Sequence, residues 1–203
     1  MSDDLSIDKN RAALLLMDFQ NDIVTKGGAL AASEDEALER IDKAIAVADN
    51  VANIARGAGI PVIHVAVGRR SGDPPQNPHM PIQRFIAQTD ALVHGSDGFA
   101  FHPNAQPGPG ETVIVKRSVS AFAGTDLAPQ LQGQGTDTIV LCGFATHMVV
   151  EGTARDAADR GYRVIVLEDC CASGGLDRHT AALENIGMIG EVRNSQDFIA
   201  AIS

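Results

Sequence analysis

The chain has 203 residues, of which 44% are hydrophobic and 21% charged, values typical of one soluble globular domain with a sizeable core. Its net charge of −10 disfavours binding to nucleic-acid phosphates or to an anionic membrane surface, because either partner requires a basic face. Its apolar runs are strand-sized, its N-terminus is acidic rather than signal-like, and its three cysteines do not form a disulfide framework. We therefore expect a reduced cytoplasmic protein in which residues 1–203 form a single domain.

The first predicted elements are a strand and a long helix. Residues 12–18 (AALLLMD) form an apolar run that ends in an acid. Residues 33–59 then place apolar side chains at helical spacing and end in two glycines. Ser33 is followed by Glu36 three residues later, which predicts a capping box at the start of this helix.

The rest of the chain continues the alternation of strands and helices. Residues 61–67 (PVIHVAV) are the next predicted strand, the Gly- and Pro-rich stretch after it is expected to be loop, and 82–110 should hold a short helix and then irregular chain. Predicted strands and helices then follow in turn at 112–117, 126–132, 138–144, 148–160, 163–169, 176–188, 190–193 and from about 195. Strands without in/out alternation, separated by helices, indicate a three-layer α/β/α fold with a mostly parallel six-stranded sheet.

Polar residues follow the predicted strands where such a sheet binds ligands, which is beyond the carboxyl ends of its strands. Asp18, Lys116 and Asp169 each end a strand, and the turn 143–149 ends another. A single charge at a strand end is often there only because the strand reaches solvent. An acid, a base and a helix N-terminus together are the parts of an acid–base site, which is the interpretation we favour.

Three blocks of sequence resemble a known family. They are MDFQND at 17–22, KRSVSAFAGTDL at 116–127 and GFATHMVVEGTARDAADRGY at 143–162, and they are similar to the isochorismatase-like hydrolases, a superfamily that includes nicotinamidases and N-carbamoylsarcosine amidases. The resemblance covers about residues 11 to 200, with the blocks in the family's order. It implies a small-molecule substrate and a homodimer or homotetramer with helix 148–160 near the interface. It also implies a cis peptide bond between Phe144 and Ala145 that turns backbone N–H groups toward the substrate.

The family's catalytic triad of Asp, Lys and Cys falls, by motif, on Asp18, Lys116 and Val149. Valine has no nucleophilic atom, so the resemblance implies that the thioester route of the amidases is closed in this chain. The chain therefore departs from the family pattern at the nucleophile itself.

The three cysteines offer no obvious substitute for that nucleophile. Cys142 lies at the end of a buried strand on the other side of the turn, and we expect it to be a core residue. Cys170 and Cys171 follow a different strand, where an adjacent pair is more often packing than chemistry, with a smaller chance of redox sensitivity.

The true isochorismatases of this family work without the cysteine, and His147 stands where their turn carries a histidine. In them the Asp is a general acid that protonates a vinyl ether, and water captures the resulting oxocarbenium ion. A carboxyl group in an apolar pocket has a raised pKa and can hold that proton, although Lys116 would lower the pKa of Asp18 and could instead orient a substrate carboxylate. The expected pocket residues are Phe19, Gln20, Arg84, Phe122, Phe144, Ala145 and His147.

The match to true isochorismatases is partial, because their turn has a small residue in place of Val149 and Ala in place of Thr146. The broader expectation is hydrolysis of a small anionic substrate. The alternative is a catalytically silent binding or assembly protein that kept the fold. Retention of a buried Asp18–Lys116 pair favours the enzyme, because a site without function has no reason to keep buried charge.

No metal or cofactor is predicted. Nicotinamidase-type relatives bind a metal ion through an Asp-x-His pair, whereas His64, Asp73 and His79 lack that spacing here. We expect His64 to be a core residue and the other two to be loop residues. A dinucleotide-binding fold is also excluded, because no G-x-G-x-x-G follows the first strand.

Overall fold

In the computed structural model, which describes residues 5–203, six strands form one parallel sheet in the order β3-β2-β1-β4-β5-β6. The strands are β1 Ala12–Met17, β2 Val62–Val67, β3 Thr112–Lys116, β4 Thr138–Phe144, β5 Arg163–Ala172 and β6 Glu191–Arg193. The described residues also form the α-helices α1 Asn21–Val24, α2 Asp35–Gly57, α3 Pro81–Gln88, α4 Leu127–Gly133, α5 Glu151–Asp159, α6 Leu176–Ile186 and α7 Ser195–Ile202. Among residues 5–203, no helix combines the length and apolar character needed to cross a membrane.

Helices cover both faces of the sheet, which confirms the predicted three-layer α/β/α class. In β1, Leu14 and Leu16 pack into the core formed with α2 and α7, whereas Leu15 and Met17 pack into the core formed with α4, α5 and α6. Every residue of β1 is therefore buried, and this burial on both faces explains why the strand has no polar alternation.

The predicted capping box of α2 is wrong. The helix begins at Asp35, after Glu34, whose side chain makes no capping hydrogen bond, and Ser33 lies outside the helix. Asp35 instead accepts a hydrogen bond from Lys26 at 2.7 Å. An acid in the first helical turn also interacts favourably with the helix dipole.

The prediction that Asp169 ends a strand is also wrong. β5 continues to Ala172 after a register shift in its pairing with β4. The Asp169 carboxylate accepts hydrogen bonds from the backbone N–H of Ser195 at 2.8 Å and from its hydroxyl at 2.6 Å. Asp169 therefore anchors the start of α7 and does not face the edge where the other strand ends meet.

The carboxyl ends of β1, β2, β3 and β4 lie side by side at one edge of the sheet. Met17 is in register with Val65 and with Gly143, and Val67 is in register with Lys116. Asp18, which directly follows β1, is thereby brought next to the last residue of β3 and to the turn that follows β4.

Candidate functional site

A buried ion pair lies at this edge of the sheet. Lys116 Nζ donates a hydrogen bond to Asp18 Oδ2 at 2.8 Å, and the two side chains are 1% and 2% exposed. The ammonium also donates to the carbonyl of Ser118 at 3.2 Å. The other carboxylate oxygen, Asp18 Oδ1, is buried and has no hydrogen-bond partner in the part of the chain that the structure describes.

The backbone holds Asp18 in an uncommon conformation. Its φ angle is +59°, in the left-handed region, and its N–H donates to the carbonyl of Val65 at 2.9 Å. Aspartate and asparagine tolerate this region better than most residues with a side chain do. The conformation turns the chain sharply out of β1 immediately at the acid.

Burial raises the pKa of Asp18 above its ordinary value, and the charge and hydrogen bond of Lys116 only partly oppose this effect. The carboxyl group is therefore suited to hold a proton at a higher pH than an exposed aspartate. A proton on Oδ1 would have no competing acceptor among the described residues.

The ion pair opens onto a cavity of about 300 Å³, within the size range of small-molecule sites. The walls come from the strand ends, from the turn after β4, and from α1, α3 and α6 with the chain next to them. The lining residues are Asp18, Ile23, Leu30, Val67, Ile82, Gln83, Ile86, Lys116, Arg117, Ser118, Val119, Phe144, Ala145, His147, Met148, Val149 and Arg178. Most of the wall is apolar, which favours a small ligand held by few polar contacts.

The turn after β4 contributes backbone as well as side chains. The peptide bond between Phe144 and Ala145 is cis, as the resemblance implied. A π-helical turn, Thr146–Val150, follows, and the backbone N–H of Val149 donates to the carbonyl of Ala145 at 2.9 Å. Such π turns are frequent at functional sites. Val149 is 8% exposed and presents its side chain at the cavity wall.

Two histidine contacts tie this turn to the chain around the start of α6. His147 Nδ1 lies 2.9 Å from Ser173 Oγ, and His179 Nδ1 lies 2.8 Å from Thr146 Oγ1. Burial, followed by the nearby charge of Arg178, lowers the pKa of His147, which favours a neutral ring. With Nδ1 engaged, Nε2 is the ring nitrogen of His147 that is left to serve a ligand.

Two of the predicted pocket residues follow Asp18 but do not line the cavity. Phe19 is buried in the core formed with α2. The Gln20 amide instead pairs with backbone: Nε2 donates to the carbonyls of Val67 and Phe99 at 3.0 and 2.9 Å, and Oε1 accepts from the N–H of Val67 at 2.7 Å. Gln20 thus holds a loop against the end of β2.

Phe122 and Arg84 also lie elsewhere. Phe122 stacks on Tyr162 with ring centroids 5.8 Å apart, and the guanidinium carbon of Arg160 lies 4.9 Å from its ring centroid. Arg84 is exposed on α3 and donates to the carbonyl of Pro78 at 3.0 Å. Ile86, which lies on the same helix, does line the cavity.

Four polar residues of the wall were not predicted from the sequence, namely Gln83, Arg117, Ser118 and Arg178. Arg117 directly follows Lys116, so its place beside the site could have been read from the strand end. Arg178 lies in the first turn of α6, which follows β5 and therefore begins at the same edge of the sheet.

The native thiols lie inside the protein. Cys142, Cys170 and Cys171 are 0%, 0% and 5% exposed, so the prediction that Cys142 belongs to the core is confirmed. Burial raises the pKa of Cys142 and of Cys171 well above the ordinary value. A buried thiol with a raised pKa is a poor nucleophile.

The residues considered as metal ligands have other partners or stand alone. His64 is fully buried, with Nε2 at 3.0 Å from Glu111, Asp73 is paired with Arg117 at 3.4 Å, and His79 is exposed. Across residues 5–203, His, Cys, Asp and Glu side chains form no group of three or more that could hold a metal ion.

Comparison with known proteins gives consistent similarities along the whole chain. A family model described as isochorismatase domain matches residues 12–197. The isochorismatase family protein YecD of Escherichia coli O157:H7 is 32% identical over 200 residues, covering 98% of this chain and 100% of that protein. Maleamate amidohydrolase of Pseudomonas putida is 33% identical over 193 residues, covering 92% of this chain and 84% of that protein.

A solved structure shares the fold. The crystal structure of a cysteine hydrolase from Pseudomonas syringae pv. phaseolicola superimposes with a TM-score of 0.86, covering 100% of this chain and 98% of that one, at 24% sequence identity.

Proposed function

The chain belongs to the isochorismatase family of hydrolases, and from that premise we propose that it hydrolyses a small anionic substrate by acid–base chemistry at Asp18 and Lys116. In this proposal no covalent thiol intermediate forms, because Val149 stands at the motif position of the family's nucleophile. The expected cytoplasmic location and the homodimer or homotetramer stay predictions.

One observation carries the proposal: Asp18 Oδ1 is a buried carboxylate oxygen without a partner among the described residues, beside a cavity of about 300 Å³. Buried polar atoms are nearly always hydrogen-bonded, and an exception calls for an explanation. A substrate atom that receives a proton from Oδ1 is such an explanation. The raised pKa of Asp18 supports the same role, because a general acid must arrive at the reaction protonated.

The reaction that suits these groups best is cleavage of an enol ether. The Oδ1 proton moves to the terminal carbon of the double bond, whose π electrons form the new C–H bond and leave an oxocarbenium ion. Water adds to the cationic carbon and returns a proton to Asp18. The resulting hemiketal then collapses to a carbonyl compound and an alcohol, so no thiol, cofactor or metal takes part.

Lys116 and His147 have supporting roles in this scheme. Lys116 remains an ammonium on Oδ2 and stabilises the carboxylate that is left after the proton transfer. His147 is neutral, and its Nε2 is suited to hold the attacking water. Similarity to a maleamate amidohydrolase supports a small carboxylate substrate, and it makes amides the second compound class to test.

A substrate screen with two matched perturbations tests the proposal. Purified protein is assayed against carboxylated enol ethers, amides and ureides, and a compound that is turned over is then used throughout. Asp18→Asn, which keeps the side-chain shape and the favoured backbone conformation, should reduce turnover by about 10²- to 10⁴-fold, the range for loss of general acid catalysis. Iodoacetamide treatment of the folded protein should leave turnover unchanged.

The opposite pattern would show that a thiol is the working group: turnover lost on alkylation of the folded protein and kept in Asp18→Asn. A folded protein that binds carboxylates from the panel and turns over none of its compounds would support the alternative of a silent binding protein.

A further inference from the structure

The cavity has an excess of positive charge in a chain whose net charge is −10. Its charged lining residues are the acid Asp18 and the cations Lys116, Arg117 and Arg178. Lys116 is matched to Asp18, so the two arginines remain as the cationic part of the wall. A wall of this composition favours an anionic ligand over a neutral one.

The two arginines differ in what holds them. Arg117 is tethered, because it donates to the carbonyl of Pro74 at 3.1 Å and lies 3.4 Å from Asp73. The Arg178 side chain makes no hydrogen bond and no ion pair within residues 5–203, although it borders the cavity. Its five guanidinium N–H donors are therefore open to a ligand.

The side chain of Arg178 is exposed, but the backbone that carries it is anchored by a neighbouring contact. The next residue, His179, contacts Thr146 Oγ1 at 2.8 Å, which joins the first turn of α6 to the turn after β4. That same turn contributes His147 to the cavity wall. Arg178 therefore borders the same cavity as His147, on a helix whose first turn contacts the turn after β4.

We propose that Arg178 binds a carboxylate of the substrate at the mouth of the cavity, so that the substrate is a short unsaturated carboxylate whose other end reaches Asp18. Guanidinium binds carboxylate through two parallel hydrogen bonds, which fixes the orientation of the ligand as well as its position. The reaction at Asp18 rests on the proposed function, whereas the carboxylate contact is a binding property that can be measured without turnover.

Arg70 supplies the matched control. It is also exposed, and its side chain also lacks a partner among the described residues, but it does not line the cavity. Arg70→Gln therefore removes the same charge as Arg178→Gln from the same acidic protein. A difference between the two variants isolates the effect of position.

The test uses crotonate and its neutral analogue crotonamide as probes, with binding followed by NMR titration of the protein. Wild type should bind crotonate and not crotonamide. Arg178→Gln should weaken crotonate binding by about 10- to 100-fold, the loss expected for a hydrogen-bonded charge pair. The crotonate affinity of Arg178→Lys should lie between those of wild type and Arg178→Gln, because lysine keeps the charge but cannot make two parallel hydrogen bonds to a carboxylate. Arg70→Gln should bind crotonate as wild type does.

Four results would each overturn the inference: no crotonate binding by wild type, equal binding of crotonamide, unchanged binding in Arg178→Gln, or an equal loss in Arg70→Gln. Asp18→Asn separates this inference from the proposed function, because it should lose turnover and keep binding crotonate. Arg178-dependent binding in a protein without hydrolase activity would refute the proposed function alone.

Discussion

Asp18 and Glu111 are two carboxylates that each meet a cation closely, and their pKa values move in opposite directions. Lys116 Nζ lies 2.8 Å from Asp18, and Arg56 Nε lies 2.6 Å from Glu111. The pKa of Asp18 is raised, whereas that of Glu111 is lowered to about 2. The two sites therefore differ in something other than the presence of a cation.

The two carboxylates differ in depth of burial and in the donors they have: the Asp18 side chain is 2% exposed and the Glu111 side chain 14%. Burial raises the pKa of Glu111 as it does that of Asp18, but donors on both of its oxygens outweigh this effect. Arg56 binds it through Nε and a terminal nitrogen, the N–H of Gly108 donates at 2.6 Å, and His64 Nε2 lies at 3.0 Å. Asp18 has Lys116 on one oxygen and no donor from the described residues on the other.

The comparison indicates that the satisfied carboxylate is structural and the unsatisfied one is available for chemistry. Glu111 joins α2, β2 and the segment before β3 into one unit. Asp18 has the burial that raises a pKa without the full set of hydrogen bonds that would lower it, as a proton donor requires.

The largest expected effect is on the pH dependence of turnover, and it comes from removing Lys116, the cation paired with Asp18. If turnover requires protonated Asp18, activity is present at low pH and is lost as the pH rises through the pKa of Asp18. Lys116→Met removes the charge that lowers this pKa, so the alkaline limb of the pH–rate profile should move to higher pH, alongside a lower maximal rate.

Lys26→Met is the control for this shift. Lys26 pairs with Asp35 at a similar distance, 2.7 Å, but both side chains are exposed, at 74% and 78%. Its removal should leave the pH–rate profile unchanged. A limb in Lys116→Met that stays in place or moves to lower pH would mean that Asp18 is not the titrating acid.

An intermediate effect is expected for a substitution of Glu111, the carboxylate with donors on both oxygens. The effect is on stability rather than on turnover. Glu111→Gln should lower the free energy of unfolding at pH 7 by about 2 to 3 kcal/mol, since the shift of its pKa from 4.5 to about 2 is lost. Urea denaturation measures this loss. Turnover should stay near the wild-type value, and Glu36→Gln, an exposed acid on α2, should change neither quantity.

The pH dependence of stability gives an independent check on Glu111. Because its pKa is lower in the folded state, its stabilisation is fully present above about pH 4.5 and is lost as the pH falls toward about 2. Wild type should therefore lose more stability than Glu111→Gln over this interval. Equal losses in the two proteins would show that Glu111 is not held as its contacts indicate.

The smallest expected effect concerns cysteine thiols, and it compares buried thiols with one placed at the cavity wall. Cys142, Cys170 and Cys171 are buried, whereas Val149 borders the cavity. The folded Val149→Cys variant should react with one iodoacetamide per chain, and folded wild type with none. Mass spectrometry counts the adducts. Labelling of wild type before it unfolds would show that the native thiols are more accessible than their burial indicates.

The sequence predicted the sheet, its class and the meeting of Asp18 with Lys116, because these follow from strand order and strand ends. Apolar runs buried on both faces cannot be confused with amphipathic helices, and parallel strands place their carboxyl ends at one edge. Hence two residues 98 positions apart in the chain could be placed together before any coordinates were known.

The walls of the cavity were predicted less well, since side-chain direction outside regular structure depends on backbone angles that a sequence does not reveal. The left-handed turn at Asp18 sends Phe19 into the core and Gln20 onto backbone groups. The placement of Arg84 failed for a different reason, because only one side of a helix can face the cavity: α3 presents Ile82, Gln83 and Ile86 to it, and Arg84 lies on another side.

The φ angle of +59° at Asp18 also bears on how this site can evolve. Glycine, asparagine and aspartate adopt this conformation most readily, so a longer acid such as glutamate is penalised by the backbone even though it would keep the proton. Asparagine is a single base change away from aspartate and suits the same backbone. The proposed proton donor is therefore easy to lose without loss of the fold and hard to exchange for another acid. Under the proposed function, the single substitution Asp18→Asn would turn an enzyme of this fold into a binding protein.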